Sequence, residues 1–231
     1  IGILNGIDSS VWNPETDSYL IKNFSNKNLI SGRKANKKYL CDTFNLDFNK
    51  PLFAFIGRLV GEKGSDLFPE TFKNALNKKN LSILLLGSGN DDVEEQLEAL
   101  KNDYKGDYNA FIGYDERLSH IIYAGADFLL MPSRVEPCGL NQMYALRYGT
   151  IPIVRSIGGL KDTVVDISNE NGFGICHNNV EVSEITTAID RGVELYENQA
   201  EYKRISKYIM SIDHSWDASA KQYINLYKSI N

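Results

Sequence analysis

"LFAFIGRLVGEKG", Leu52 to Gly64, is an apolar run that stops in glycine and passes into a loop carrying Arg58 and Lys63 among Gly57, Gly61 and Gly64. So short and uniformly apolar a run reads as a strand buried on both faces, and its glycine end reads as the start of a crossover. The pattern recurs downstream in "SILLLG" (Ser82–Gly87), "YNAFIG" (Tyr108–Gly113), "DFLLMP" (Asp127–Pro132) and "IPIV" (Ile151–Val154). Stretches of helical period separate these runs, which is the signature of βαβ units. The expected fold class is therefore α/β: a Rossmann-like parallel sheet of five strands with flanking helices. Helices are expected over Ser65–Lys78, Asp91–Asn102, Asp115–Ala124 and Gly139–Tyr148, with Ser65 and Asp115 as N-caps. Beyond Val180, Ile185, Ile189, Val193 and Tyr196 repeat at helical spacing, "EYKRISKYIM" continues in kind, and a last helix starts near "HSWDASAKQYINLY".

Composition narrows the function classes. The 231 residues suit one domain spanning 1–231, with 42% hydrophobic and 24% charged residues as in ordinary globules. A net charge of -5 argues against nucleic acid or an acidic membrane surface as partner, so any phosphate site must be local. No apolar run approaches the roughly 18 residues of a membrane span. Cys41, Cys138 and Cys176 are odd in number and lack metal spacing, which points away from disulfides and zinc and toward a reducing cytoplasm. The chain opens on Ile1 with neither Met nor a signal stretch, as expected of an excised piece. "IGILNGIDSSVWNPETD" reads as a short strand and then turns, suited to a crossing between domains.

Ligands of doubly wound sheets bind beyond the carboxyl ends of the strands, where the glycine turns fall. In "GRLVGEKG", glycines allow close backbone approach and two cations suit a diphosphate, although a solvated basic turn has the same composition. "LGSGND" lacks the last glycine of a dinucleotide fingerprint because position 92 is Asp, and reads as a tight βα turn. Tyr114, just past a strand end, suits either stacking on a base or plain packing. His120 reads as structural, with no acid at a useful spacing.

"RVEPCGLNQMYALRYG", Arg134 to Gly149, places Glu136 on the same crevice edge. The amides of Gly139, Leu140 and Asn141, at the expected helix start, would face an anion. Glu136 is open to a ligand role or to solvation, and Cys138 reads as a small packing residue. "SIGGLKDTV" supports a close backbone approach, and Trp216 reads as core or interdomain packing.

These stretches, together with "NGID…WNPETD" and "SWDASAKQY", closely resemble the carboxyl-terminal domain of bacterial glycogen synthases and plant starch synthases, and the match runs over nearly the whole chain. The resemblance implies half of a two-domain GT-B glycosyltransferase that moves glucose, with retention, from ADP-glucose to the non-reducing end of an α-1,4-glucan. It implies Arg58 and Lys63 on the donor diphosphate, Tyr114 against adenine, and Glu136 at the donor glucose. It further implies Ser133, Cys138, Gly139, Leu140 and Asn141 on the sugar and phosphate. No metal and no cofactor are implied, the donor being a substrate. The partners implied are ADP-glucose or ADP, the glucan, and an amino-terminal GT-B domain toward which helix 214–230 packs.

Four departures matter. Glu62 stands where starch synthases commonly have Gln, and Asn141 where Thr is common. Tyr144 stands where related retaining transferases carry a second Glu, which favours the starch-synthase branch. No Lys-x-Gly-Gly occurs, so the chain is expected to hold half an active site and to be inactive alone. Two other functions are open: a non-catalytic sensor of adenine nucleotides, and a retaining GT-B transferase with another donor.

Overall fold

The computed structural model of the chain describes residues 2–230, so Ile1 lies outside the described residues. Six parallel strands form one sheet: β1 (Leu52–Leu59), β2 (Ser82–Gly89), β3 (Tyr108–Ile112), β4 (Phe128–Met131), β5 (Ile151–Arg155) and β6 (Ile175–His177). The five expected strands are present, and β6, three residues long, is an addition too short to carry a pattern. The strand order is β3-β2-β1-β4-β5-β6, so the chain winds outward from β1 in one direction and restarts at β4 on its other side. The carboxyl ends of β1 and β4 thus flank the reversal point, where a doubly wound sheet opens a crevice.

Both faces of the sheet are covered, which is why its strands read as unbroken apolar runs. Phe53, Phe55, Ile83, Leu85, Phe128, Leu130 and Ile153 point into one core. There they meet α2 (Phe68–Leu76), α3 (Asp91–Asp103), α7 (Val182–Glu197) and α8 (Gln199–Ile209). The alternate residues Leu52, Ala54, Leu84, Leu86, Leu129, Met131 and Val154 point into the other. That face is covered by α1 (Leu29–Phe44), α4 (Glu116–Gly125) and α6 (Gly158–Thr163). Side chains of a strand alternate between faces, and here both alternations are apolar.

The remaining helices are α5 (Asn141–Arg147), beside β4 and β5, and α9 (Trp216–Ile230). Helix α1 was not anticipated because it turns polar residues inward: Arg33, Asn36 and Lys37 are all buried. Arg33 donates to the carbonyl of Tyr148 (2.6 Å), the hydroxyl of Thr150 (2.8 Å) and the carbonyl of Ala126. Lys37 donates to Asp127 Oδ2 (2.7 Å) and to the Lys50 carbonyl (2.7 Å).

Four local expectations are corrected. Ser65 does not cap a helix; its hydroxyl donates to the Val60 carbonyl at 3.1 Å, and two 3-10 turns, Gly61–Lys63 and Ser65–Leu67, precede α2. Asp115 does cap α4, accepting from the Leu118 amide at 2.8 Å. Helix α5 begins at Asn141 rather than Gly139, because Gly139 sits in the left-handed region at φ 71°. The opening segment forms no strand among the described residues, only an isolated bridge between Ile7 and Ser215. Trp216 is half-exposed and so is not core.

Candidate functional site

The carboxyl ends of β1, β2 and β3 frame a cavity of about 400 Å³. Its walls include Ile56, Gly57 and Arg58 from β1, Leu86 and Gly87 from β2, and Gly113 and Tyr114 past β3. Asn141 and Tyr144 of α5 and the distant Trp12 close it. The strands approach closely at this end: a Cβ on Gly87 would stand 2.1 Å from the Gly57 carbonyl oxygen. "LGSGND" is indeed a tight βα turn, with the Asn90 side chain capping α3 through the Val93 amide at 3.1 Å.

Arg58, Tyr114 and Asn141 therefore share one cavity, as the order of motifs suggested. Tyr114 is 82% exposed, which overturns its reading as a packed tyrosine. Arg58 also reaches into solvent, its guanidinium 3.6 Å from Glu62 Oε2. Asn141 is anchored from below, donating through Nδ2 to the Ile56 carbonyl at 2.8 Å, and no side chain caps its helix. Lys63, Ser133, Glu136, Cys138, Gly139 and Leu140 lie outside this lining, on the loops after β1 and β4.

Those two loops are joined at three points. Lys63 Nζ and Glu136 Oε2 form an ion pair at 2.5 Å, and the buried Ser133 hydroxyl donates to the same oxygen at 3.3 Å. Arg134 donates to Asp66 Oδ1 (2.5 Å), Asp66 Oδ2 (2.8 Å) and the Gly61 carbonyl (2.7 Å). These bonds hold the Asp66 carboxyl below the usual range, against a smaller opposing effect of burial. The Arg134 amide donates to the Glu62 carbonyl at 2.7 Å. Sequence reading missed Arg134 and Asp66, because their partnership spans 68 positions and no local period marks it.

A second cradle supports the Glu136 loop. The Gly159 amide donates to the carbonyls of Glu136 (3.1 Å) and Pro137 (3.2 Å), and a Cβ on Gly159 would stand 2.0 Å from the Cys138 carbonyl oxygen. The close backbone approach expected of "SIGGLKDTV" is this contact. Cys138 is half-buried within it.

His120 is structural, as expected, but it does have an acid. Its Nδ1 lies 2.7 Å from Asp17 Oδ2, and its ring stacks on Trp12 with centroids 3.9 Å apart. Asp17 is 103 residues away in the chain, so spacing could not reveal it. No cluster of three or more His, Cys, Asp or Glu with metal-binding geometry occurs among the described residues. No helix among them is long and apolar enough to cross a membrane.

The chain is 53% identical to a glycogen synthase of Flavobacterium johnsoniae over 99% of its own length and 49% of that protein's. It is 42% identical to a glycogen synthase of Thermodesulfovibrio yellowstonii, over 100% of this chain and 46% of the other. Among solved structures, the catalytic domain of starch synthase IV from Arabidopsis thaliana bound to ADP and acarbose superposes with a TM-score of 0.89 at 36% identity. That match covers 99% of this chain and 48% of the other. The chain thus spans about half the length of the relatives it matches, and the resemblance to glycogen and starch synthases holds. With residues 42–210 matching the family "Glycosyl transferases group 1" over a sheet wound as that resemblance implied, the chain belongs to the group 1 glycosyl transferases.

Proposed function

We propose that this chain is the nucleotide-sugar half of an ADP-glucose:α-1,4-glucan glucosyltransferase. The observation that carries the reading is the cavity at the carboxyl ends of β1, β2 and β3, where a cation, an exposed aromatic ring and an uncapped helix start converge, with a Lys-Glu pair joining the loops after β1 and β4. A starch synthase of the same fold, bound to ADP and acarbose, supports the choice of donor and acceptor.

On this reading Tyr114 stacks on adenine. Arg58 and Lys63 meet the charge that develops on the diphosphate as the bond to glucose breaks, which is transition-state stabilisation. Lys63 exchanges part of its contact with Glu136 for a phosphate oxygen, and Glu136 turns to the glucose hydroxyls with Ser133, Cys138, Gly139 and Leu140 around it. Asn141 lies at the phosphate end of the cavity. The two cations serve the charge with no metal and no cofactor. The glucan and a second GT-B domain complete the site, so this chain alone binds nucleotide and transfers nothing. Residues 1–231 act as one domain in the cytoplasm, with neither nucleic acid nor membrane as partner. Helix α9 docks toward the second domain; Trp216, Tyr223, Ile224 and Tyr227 on it are exposed, and Ser219 is its buried residue.

Calorimetric titration of ADP-glucose and UDP-glucose into the chain tests the reading. Binding of the adenine donor that Arg58→Ala with Lys63→Ala abolishes is expected. Equal binding of both donors, or ADP-glucose binding indifferent to the double substitution, refutes it.

A further inference from the structure

We propose that Arg134 and Asp66 form a clasp that positions the donor-phosphate loop against the donor-sugar loop, making Arg134 a positioning residue of this site. The inference rests on the reading of the cavity as a nucleotide-sugar site. Arg58 sits at the carboxyl end of β1 and Lys63 on the loop after it, and Glu136 rides on the loop after β4. Strand pairing alone leaves those loops loosely related, because β1 and β4 are in register only at Phe53 with Phe128 and Ala54 with Leu129, while β1 runs on unpaired with β4 to Leu59 and β4 to Met131.

Arg134 bridges the gap. Its guanidinium makes a fork-to-fork pair with Asp66, at 2.5 and 2.8 Å, and Nη1 also donates to the Gly61 carbonyl at 2.7 Å. A bidentate pair fixes direction as well as distance, which a lysine's single point charge cannot do. The backbone of the same residue is held twice more: its amide donates to the Glu62 carbonyl at 2.7 Å, and its carbonyl accepts from Arg155 Nη1 at 2.9 Å. One residue thus touches both ends of the 61–66 turn and stands two positions before Glu136. The turn it grips contains Lys63, whose Nζ lies 2.5 Å from Glu136. On the proposed reading Lys63 must open that ion pair to reach a phosphate, and the Arg134 side chain, with its amide bond to Glu62, then holds the two loops in place. Arg134 itself is over a third exposed and Asp66 nearly half, so neither is a core element whose loss would unfold the sheet.

The test uses the 231-residue chain and two probes, ADP and adenosine. Adenosine engages the base seat at Tyr114 and makes no demand on the phosphate loop, so a structural role would affect both probes alike. Arg134→Ala and Asp66→Ala are each expected to weaken ADP roughly tenfold, which is about 1.4 kcal/mol, while adenosine affinity changes by less than about twofold. The double variant is expected to be no weaker than the weaker single, since both substitutions remove one interaction. ADP affinity within about twofold of the unaltered chain in a cooperatively folded Arg134→Ala overturns the clasp, as do equal losses for ADP and adenosine, or losses that add in the double variant. Asp66→Ala gives the same readouts should Arg134→Ala lose its cooperative thermal transition. Lys63→Ala separates the two ideas. If the unaltered chain binds no ADP, or binds it independently of Lys63, the site reading falls and takes the clasp with it. If ADP binding needs Lys63 but not Arg134, the clasp alone falls.

Discussion

Gly159→Ala should disable the site from behind. The added Cβ would stand 2.0 Å from the Cys138 carbonyl oxygen and 2.5 Å from both its carbonyl carbon and its Cα, against 3.4 Å where ordinary contact begins. All three neighbours are backbone, so no side chain can swing away and the Glu136–Cys138 loop must retreat. Clearing the oxygen means moving from 2.0 to 3.4 Å, beyond the roughly 1 Å misplacement that already lowers catalytic rates about a hundredfold. The retreat also stretches the hydrogen bonds from the Gly159 amide to Glu136 (3.1 Å) and Pro137 (3.2 Å). Overpacking of this kind costs about 1–3 kcal/mol. At roughly 2–4 °C per kcal/mol for a domain of this size, thermal unfolding should shift down by about 2–12 °C. Calorimetric ADP-glucose titration should show affinity falling by at least tenfold, since the loop proposed to hold the donor sugar has moved. Gly61→Ala is the control, because nothing lies within 4 Å of its added Cβ, and its thermal midpoint should stay within about 2 °C. A Gly159→Ala variant with unchanged midpoint and unchanged donor affinity would refute the view that this glycine cradles the Glu136 loop.

Other expectations follow from the packing and charges. Lys37→Met strands the buried Asp127 carboxylate and should destabilise by about 3–5 kcal/mol, whereas Lys38→Met, next door in an exposed pair with Asp42, should stay within about 0.5 kcal/mol; urea unfolding of both reads the contrast. Burial, which raises the Asp166 pKa, is outweighed by bonds from Arg191, Ser168 and the Cys176 amide, so its carboxyl falls from 3.8 to about 2. A lowered pKa stabilises the fold above 3.8 and loses that contribution as pH falls toward 2, so the stability gap between the unaltered chain and Asp166→Asn should close over that window; a gap constant with pH would contradict it. Tyr114→Ala should weaken ADP by about 1–3 kcal/mol, the usual worth of a base–aromatic stack, with no change in thermal midpoint because the ring is exposed.

What could be read along the chain was what local burial writes into it. The strands Leu52–Leu59 and Ser82–Gly89 announce themselves because both faces are covered, so Leu52–Ile56 and Ile83–Leu86 are apolar at every position. Asp115 announces the start of α4 because a cap works within three residues. Helix α1 was illegible for the complementary reason: Arg33 and Lys37 are buried and satisfied by carbonyls and an acid far away, so their charges mask an inward face. Within the candidate site, Arg58, Tyr114 and Asn141 could be placed together because each lies at or beyond the carboxyl end of a strand on one edge of the sheet. The Lys63–Glu136 pair, the Arg134–Asp66 clasp and the Gly159 cradle could not, since each joins groups between 21 and 73 positions apart.

The sequence by itself determined the α/β class, the edge on which the loops gather and the residue types those loops carry, because apolar period and glycine placement are properties of neighbouring residues. Only the tertiary structure decided that β4 lies beside β1, and hence that Lys63 after one strand meets Glu136 after the other. The reason is physical: strand order and buried ion pairs are chosen by complementarity between segments that share no local signal. A chain can therefore carry every part of a site in view while the pairing that assembles it appears only on folding.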